Sequence, residues 1–260
     1  MKYLRVLLIA VLATSGVAAC GGEDPAEGTG APGAAVSTAP APKDVLLKAV
    51  QTLDTASFNF TIKQAGMSGG GRVDAKTKAA LVELSGKVEG QTISLAYTVI
   101  APDVWLKADL GAAANKQLSI TKTKWMHIDT TKVEDKTQLP IDTEGNPAIG
   151  TAGMLQGASD VKQADATHFS GVVDVTATES LVAPDAELVK KVGDKAKAVP
   201  FTATIDEQGR LTALKLDGTG IDPGLTVDLV ISGFDSVKAI TKPAGAVNAP
   251  AALYAMFATA

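Results

Sequence analysis

Few side chains in this 260-residue chain have the types and spacing that covalent or metal chemistry needs. Gly66-Met67-Ser68-Gly69-Gly70 has the G-x-S-x-G spacing of a nucleophile elbow, in which a serine on a sharp strand-to-helix turn attacks an acyl carbon. That elbow needs a helix after the serine. Arg72 to Lys76 instead alternates as a strand, so the spacing predicts a glycine-rich hairpin turn at Gly69-Gly70-Gly71. No Lys-Ser/Thr pair follows these glycines, which excludes a phosphate loop. Gly150, Gly153 and Gly157 are not introduced by a strand and make no dinucleotide fingerprint. His127 and His168 each stand alone in a strand-like segment, with no ligand spacing to a second histidine or a cysteine. Backbone or water is the partner expected for each. Asp142, Glu144 and Asn146 alternate but lack the glycine and distal glutamate of a calcium loop. Asp206 and Glu207 read as turn formers. These residues point to no enzyme, no metal and no cofactor.

The one remaining reactive group is Cys20, the only thiol in the chain. Lys2 and Arg5 form a short basic region, and Val6 to Val17 is apolar apart from Thr14, Ser15 and Gly16. That run is shorter than the ~20 apolar residues of a membrane span and fits the core of an export signal. Val17-Ala18-Ala19-Cys20 then resembles a bacterial lipobox, with valine where leucine is more usual. The resemblance implies a diacylglyceryl thioether on the Cys20 sulfur and cleavage before it. An ordinary signal peptide ending at Ala19 is the other reading of the same residues. A lone thiol in an oxidising compartment argues for the lipobox, because it gives the cysteine a purpose. Two acyl chains hold firmly where one is marginal. Residues 1–19 are thus expected to be a lipoprotein signal peptide, placing the mature chain on the extracytoplasmic face of the cell membrane through lipidated Cys20.

Residues 20–42 are expected to be the anchor and a disordered tether, since Gly, Pro, Ala, Ser and Thr dominate and only Val36 is large and apolar. Such a coil spans about 25 Å on average and up to ~70 Å when stretched. Residues 43–260 suit one domain. Without Lys2 and Arg5, 22 basic residues face 28 acidic ones, and no Lys/Arg run occurs. That balance argues against a nucleic-acid partner.

Hydrophobic spacing gives the elements. Asp44 reads as a helix N-cap, with Val45, Leu46, Ala49, Val50 and Leu53 on one face. The period then changes to two at Phe58, Phe60 and Ile62, at Val82, Leu84 and Val88, and at Ile93, Leu95, Tyr97 and Val99. Val104, Leu106 and Ala108, then Trp125 to Ile128, continue it. Thr92, Ser94, Ala96 and Thr98 fall on the opposite, solvent face. A loop-rich stretch follows, with a short helix over Ala148 to Ala158. Strands resume at Phe169 to Val175, Phe201 to Ile205, Thr212 to Leu216 and Leu225 to Ile231. A helix opened by Pro184 lies between them, with Glu187 and Lys191 at i,i+4. The expected class is α+β with a large antiparallel sheet and one buried face. Aromatic residues are only 4% of the chain, so the faces offer aliphatic surface rather than stacking platforms. Periodicity alone leaves two interiors open: a filled core, or an apolar space holding acyl chains.

The order of elements is similar to that of the LppX/LprAFG family of actinobacterial lipoproteins, related in fold to the LolA/LolB lipoprotein carriers. The stretches that carry the likeness are DVLLKAVQTLDTASFNFTI, APDVWLKADL, KWMHIDTTKV, and Asn146-Pro147 leading into GTAGMLQGASDV. The closing segments VPFTATIDEQGRLTALKLDG and LTVDLVISGFDSVKAITKPA complete it, so the resemblance covers roughly residues 43–248. It implies a strongly curved antiparallel sheet, a half-open β-barrel, with helices covering its mouth around an apolar cavity. It also implies binding of acylated lipid or glycolipid by a carrier or chaperone, with an envelope transporter as protein partner. The glycine-rich GTAGMLQG departs from the family pattern at the mouth. By alternation, the residues expected to line the interior are Phe58, Phe60, Leu84, Leu95, Tyr97, Val99, Val173, Val227 and Leu229. A register shift of one would turn the opposite face inward. The other function considered is a non-enzymatic interaction or sensory lipoprotein with a filled core and a protein partner.

Overall fold

A computed structural model describes residues 40–258, apart from 65, 89, 135, 137–138, 142–148, 150 and 177–185. The expected signal peptide, Cys20 and nearly all of the expected tether lie outside the described residues, as do Asp142, Glu144, Asn146 and Pro184.

Helix α1 (Pro42–Gln51) opens the domain. It starts two residues before the expected cap: Ala41 is the N-cap, Pro42 supplies the preset φ of the first turn, and Asp44 lies within that turn. Leu46, Ala49 and Val50 are buried, as the helical spacing requires, and Leu53 follows them in a 3₁₀ turn. Strands β1 (Phe58–Gln64), β2 (Met67–Asp74), β3 (Ala79–Val88), β4 (Gln91–Ile100) and β5 (Asp103–Asp109) then form an antiparallel meander. Helix α2 (Ala112–Gln117) leads to β6 (Met126–Ile128). After α3 (Thr151–Gln156), a second meander runs through β7 (Ala158–Gln163), β8 (His168–Val173), helix α4 (Ala186–Val192), β9 (Val199–Ile205), β10 (Leu211–Leu216) and β11 (Val227–Ser232). The chain closes with β12 (Val247–Asn248) and a 3₁₀ segment over Ala251–Phe257.

The two meanders join where β1 pairs antiparallel with β11, giving one twelve-stranded sheet in the order β12-β6-β5-β4-β3-β2-β1-β11-β10-β9-β8-β7. It is antiparallel except for the two-residue parallel pair of β12 with β6. The sheet is not closed: β12 and β7 are its edges. The expected α+β class with a large antiparallel sheet therefore holds, with few helices. Among the described residues no helix is long and apolar enough to cross a membrane, which says nothing of strands.

Three expectations are corrected. Gly69-Gly70-Gly71 is not a turn but the middle of β2. A Cβ on any of the three would overlap neighbouring backbone: the Glu83 carbonyl oxygen at Gly69, that of Phe60 at Gly70 and that of Leu81 at Gly71. The glycines thus allow β1 and β3 to approach closer than side chains permit. Second, Ala158 does not end a helix but begins β7. Third, the outer face is not solvent-facing throughout, since Ala96 and Thr98 are 7% and 2% exposed. Arg72, Leu81, Thr98, Trp105 and His127 form an outer row, each paired with the next across the strands. The segment after β11 reaches this row at two points: the Lys238 carbonyl accepts from Arg72 Nε at 2.9 Å, and Lys242 Nζ stands 5.6 Å from the Trp105 ring centroid. The same segment then turns the β6 edge and buries Leu253 and Phe257 in the main core. The Tyr254 hydroxyl meanwhile accepts from the Asp129 N–H at 2.9 Å. Ala96, Thr98 and Trp105 are thus buried on the outer face, outside the main core cluster.

Candidate functional site

Residues directly opposite each other on paired strands put their side chains on the same face, so the register shows what the sheet presents. One inner row runs Phe60, Gly71, Val82, Tyr97, Leu106, Met126. The parallel row on one side of it runs Phe58, Val73, Ala80, Val99, Val104, Ile128. Apart from Gly71, every member of these rows is at most 5% exposed. This end of the face is sealed.

The other end differs. The next row runs Ile62, Gly69, Leu84, Leu95, Ala108, and beyond it Gln64, Met67, Gly86, Ile93. Ile62 and Ala108 are buried, but Gly69, Leu84, Leu95, Gln64, Met67, Gly86 and Ile93 are only half-buried. At the matching level of the second meander the face is covered: Leu229, Val227, Leu214, Leu216, Ala203, Phe201 and Phe169 are all at most 2% exposed. Helix α1 packs on β7 and β10 in this half, and Lys43 Nζ ties it down by donating to the Ala158 carbonyl at 2.7 Å. The inner face is therefore largely apolar across the sheet, sealed at one end, and half-open at the other over β2 to β4.

All nine expected lining residues share this face. Phe58, Phe60, Tyr97, Val99, Val173, Val227 and Leu229 are at most 3% exposed. Protein atoms surround them. Leu84 and Leu95, paired directly with each other, are the two that stand at the half-open end. Burial pushes the Tyr97 phenol well above its ordinary pKa, as an apolar surrounding disfavours phenolate. Sequence reasoning missed Met67, because the glycines after it read as a turn. It also missed Gln64, which continues the alternation of Phe58, Phe60 and Ile62 with a polar residue. The Gln64 Oε1 atom is buried and has no hydrogen-bond partner among the described residues.

The other chemical candidates resolve differently. Ser68 sits within β2, opposite Lys63 and Ser85, with no helix after it. Each histidine has a carboxylate partner: His127 Nε2 lies 2.7 Å from Asp103 Oδ1, and His168 Nδ1 lies 2.9 Å from Asp165 Oδ1. Among the described residues no group of three or more His, Cys, Asp or Glu could hold a metal ion. Four aspartates serve turns in one repeated way, Asp129, Asp165, Asp174 and Asp217. Each accepts from both the N–H and the hydroxyl of the threonine two residues on. These hydrogen bonds hold each carboxyl below its usual range.

No family model matches the chain, and no curated protein matches it.

Proposed function

We propose that this chain is a membrane-anchored envelope lipoprotein that binds acylated lipid at the half-open end of its apolar sheet face, as a lipid carrier or chaperone. In this reading Cys20 carries the membrane anchor, and the fold is the half-open barrel implied by the resemblance to LppX/LprAFG lipoproteins. An envelope transporter would load or unload it.

The observation that carries the reading is a mismatch of sizes. A flat sheet of twelve strands would be about 50 Å wide at the usual strand spacing. Helix α1 has ten residues and is about 15 Å long. A helix that size cannot cover such a face, yet outside the half-open end over β2 to β4 the inner residues from β5 to β8 are almost wholly buried. A sheet rolled around its own apolar face accounts for both facts. The close backbone approach at Gly69 to Gly71 suits strong curvature there. The half-buried Leu84, Leu95, Met67 and Ile93 would then be the mouth, where an acyl chain removes remaining apolar surface from water.

A second reading is favoured by one observation. The near-zero exposure of seven of the nine lining residues suits a filled core and a protein partner. The two readings agree on the interior and differ only at the mouth. Native mass spectrometry of the protein purified from its host separates them. Lipid retained by the wild type and lost in Leu84→Trp, with the melting temperature nearly unchanged, supports the carrier. Wild-type protein without lipid leaves the interaction protein.

A further inference from the structure

We infer that Gln64 is the polar recognition point of this site, and that the lipid bound there carries a hydroxyl or N–H donor at the head of its acyl chain. The inference rests on the lipid-binding reading and specifies the ligand class.

Gln64 ends β1 on the inner face, two residues beyond Ile62. It is paired with Met67 on one side and Val227 on the other. It thus stands at the boundary between the half-open rows of β2 to β4 and the covered rows of β8 to β11. Its amide oxygen is buried without a partner among the described residues. An apolar residue would fit this position without leaving a polar atom unsatisfied, as Phe58, Phe60 and Ile62 do on the same face. Positions that break a local rule of this kind are expected at functional sites. The unsatisfied atom is an acceptor, so its complement is a donor: a glycerol or sugar hydroxyl, or an amide N–H. A chain whose head donates to Gln64 Oε1 would run its tail over Gly69, where no side chain intervenes, to Leu84 and Leu95.

The test offers the full chain two probes with the same oleoyl tail: monooleoylglycerol, which has hydroxyl donors, and methyl oleate, which has none. Retention is read by native mass spectrometry for wild type and Gln64→Leu, alongside the melting temperature of each without lipid. The expected result is a wild-type preference for monooleoylglycerol of roughly five-fold or more, the scale of one net hydrogen bond. In Gln64→Leu the preference disappears, methyl oleate is still retained, and the lipid-free melting temperature stays level or rises. Equal retention of the two probes by the wild type overturns the assignment of Gln64 and leaves lipid binding standing, with water satisfying the amide. Retention of neither probe by the wild type overturns the lipid-binding reading and this inference with it.

Discussion

Phe60 faces Gly71 across β1 and β2, and its ring fills the space that a side chain at 71 would occupy: Cε1 lies 3.1 Å from the Cβ position. On the other side the Leu81 carbonyl oxygen closes the same space. The glycine is therefore a packing partner of the ring rather than a flexible link. Gly71→Ala should force the ring or β3 outward and cost about 1–3 kcal/mol, the usual scale of overpacking. Urea unfolding checks this, with a lowered midpoint at unchanged slope.

The Asp-x-Thr turns contribute to the stability that acid removes. An aspartate ordinarily titrates near 3.9. In the fold the Thr131 hydroxyl, then Lys132, then the Thr131 N–H hold Asp129 down to about 2. A carboxyl whose folded pKa is depressed contributes its stability above the unfolded value and loses it as pH falls through the folded one. Stability should therefore fall between about pH 4 and pH 2. Asp129→Asn cannot titrate, so its urea midpoint should fall less steeply over that window than the wild type's.

Ala203 and Leu84 mark the two parts of the inner face. Ala203 is 2% exposed and paired with Leu214 and Phe169, whereas Leu84 is half-buried. Ala203→Trp should overpack the core by about 1–3 kcal/mol or more. Leu84→Trp should cost much less, because Leu84 is half-buried and a larger ring there has room towards solvent. Thermal unfolding of the two variants side by side measures the difference. Equal destabilisation would mean that the half-open end is packed as tightly as the core.

Cys20 decides the anchor. Cys20→Ala should abolish acylation and yield soluble or unprocessed chain. Detergent phase partitioning reads the change, and a variant that partitions like the wild type removes the lipobox.

Much of this architecture was legible because burial on one face enforces a period of two. The stripes Ile93 to Val99 and Val227 to Ile231 needed no tertiary information, and neither did the helical face of Leu46, Ala49 and Val50; Leu225, expected to start the last strand, ends a 3₁₀ turn instead. The glycines of β2 misled because glycine marks turns through its freedom of φ. Here it serves close approach of strands, a long-range fact absent from local spacing. The short β12 and the strap before it were illegible for a similar reason. Val247 and Asn248 gain their strand character from pairing with Met126 and His127, over a hundred residues away in sequence. Alternation put all nine expected residues on one shared face of the sheet. It could not tell Leu84 and Leu95 from the rest, because exposure at the half-open end depends on what covers each end.

The most direct test of the central claim is where an acyl chain touches the protein. A phospholipid carrying a diazirine in one acyl chain, photolysed with the full chain and mapped by peptide mass spectrometry, reads this. The account predicts crosslinks on Met67 and within the segment from Leu84 to Leu95, competed away by unlabelled lipid. Crosslinks confined to the outer row of Arg72, Leu81 and Trp105, or none that unlabelled lipid displaces, would contradict it.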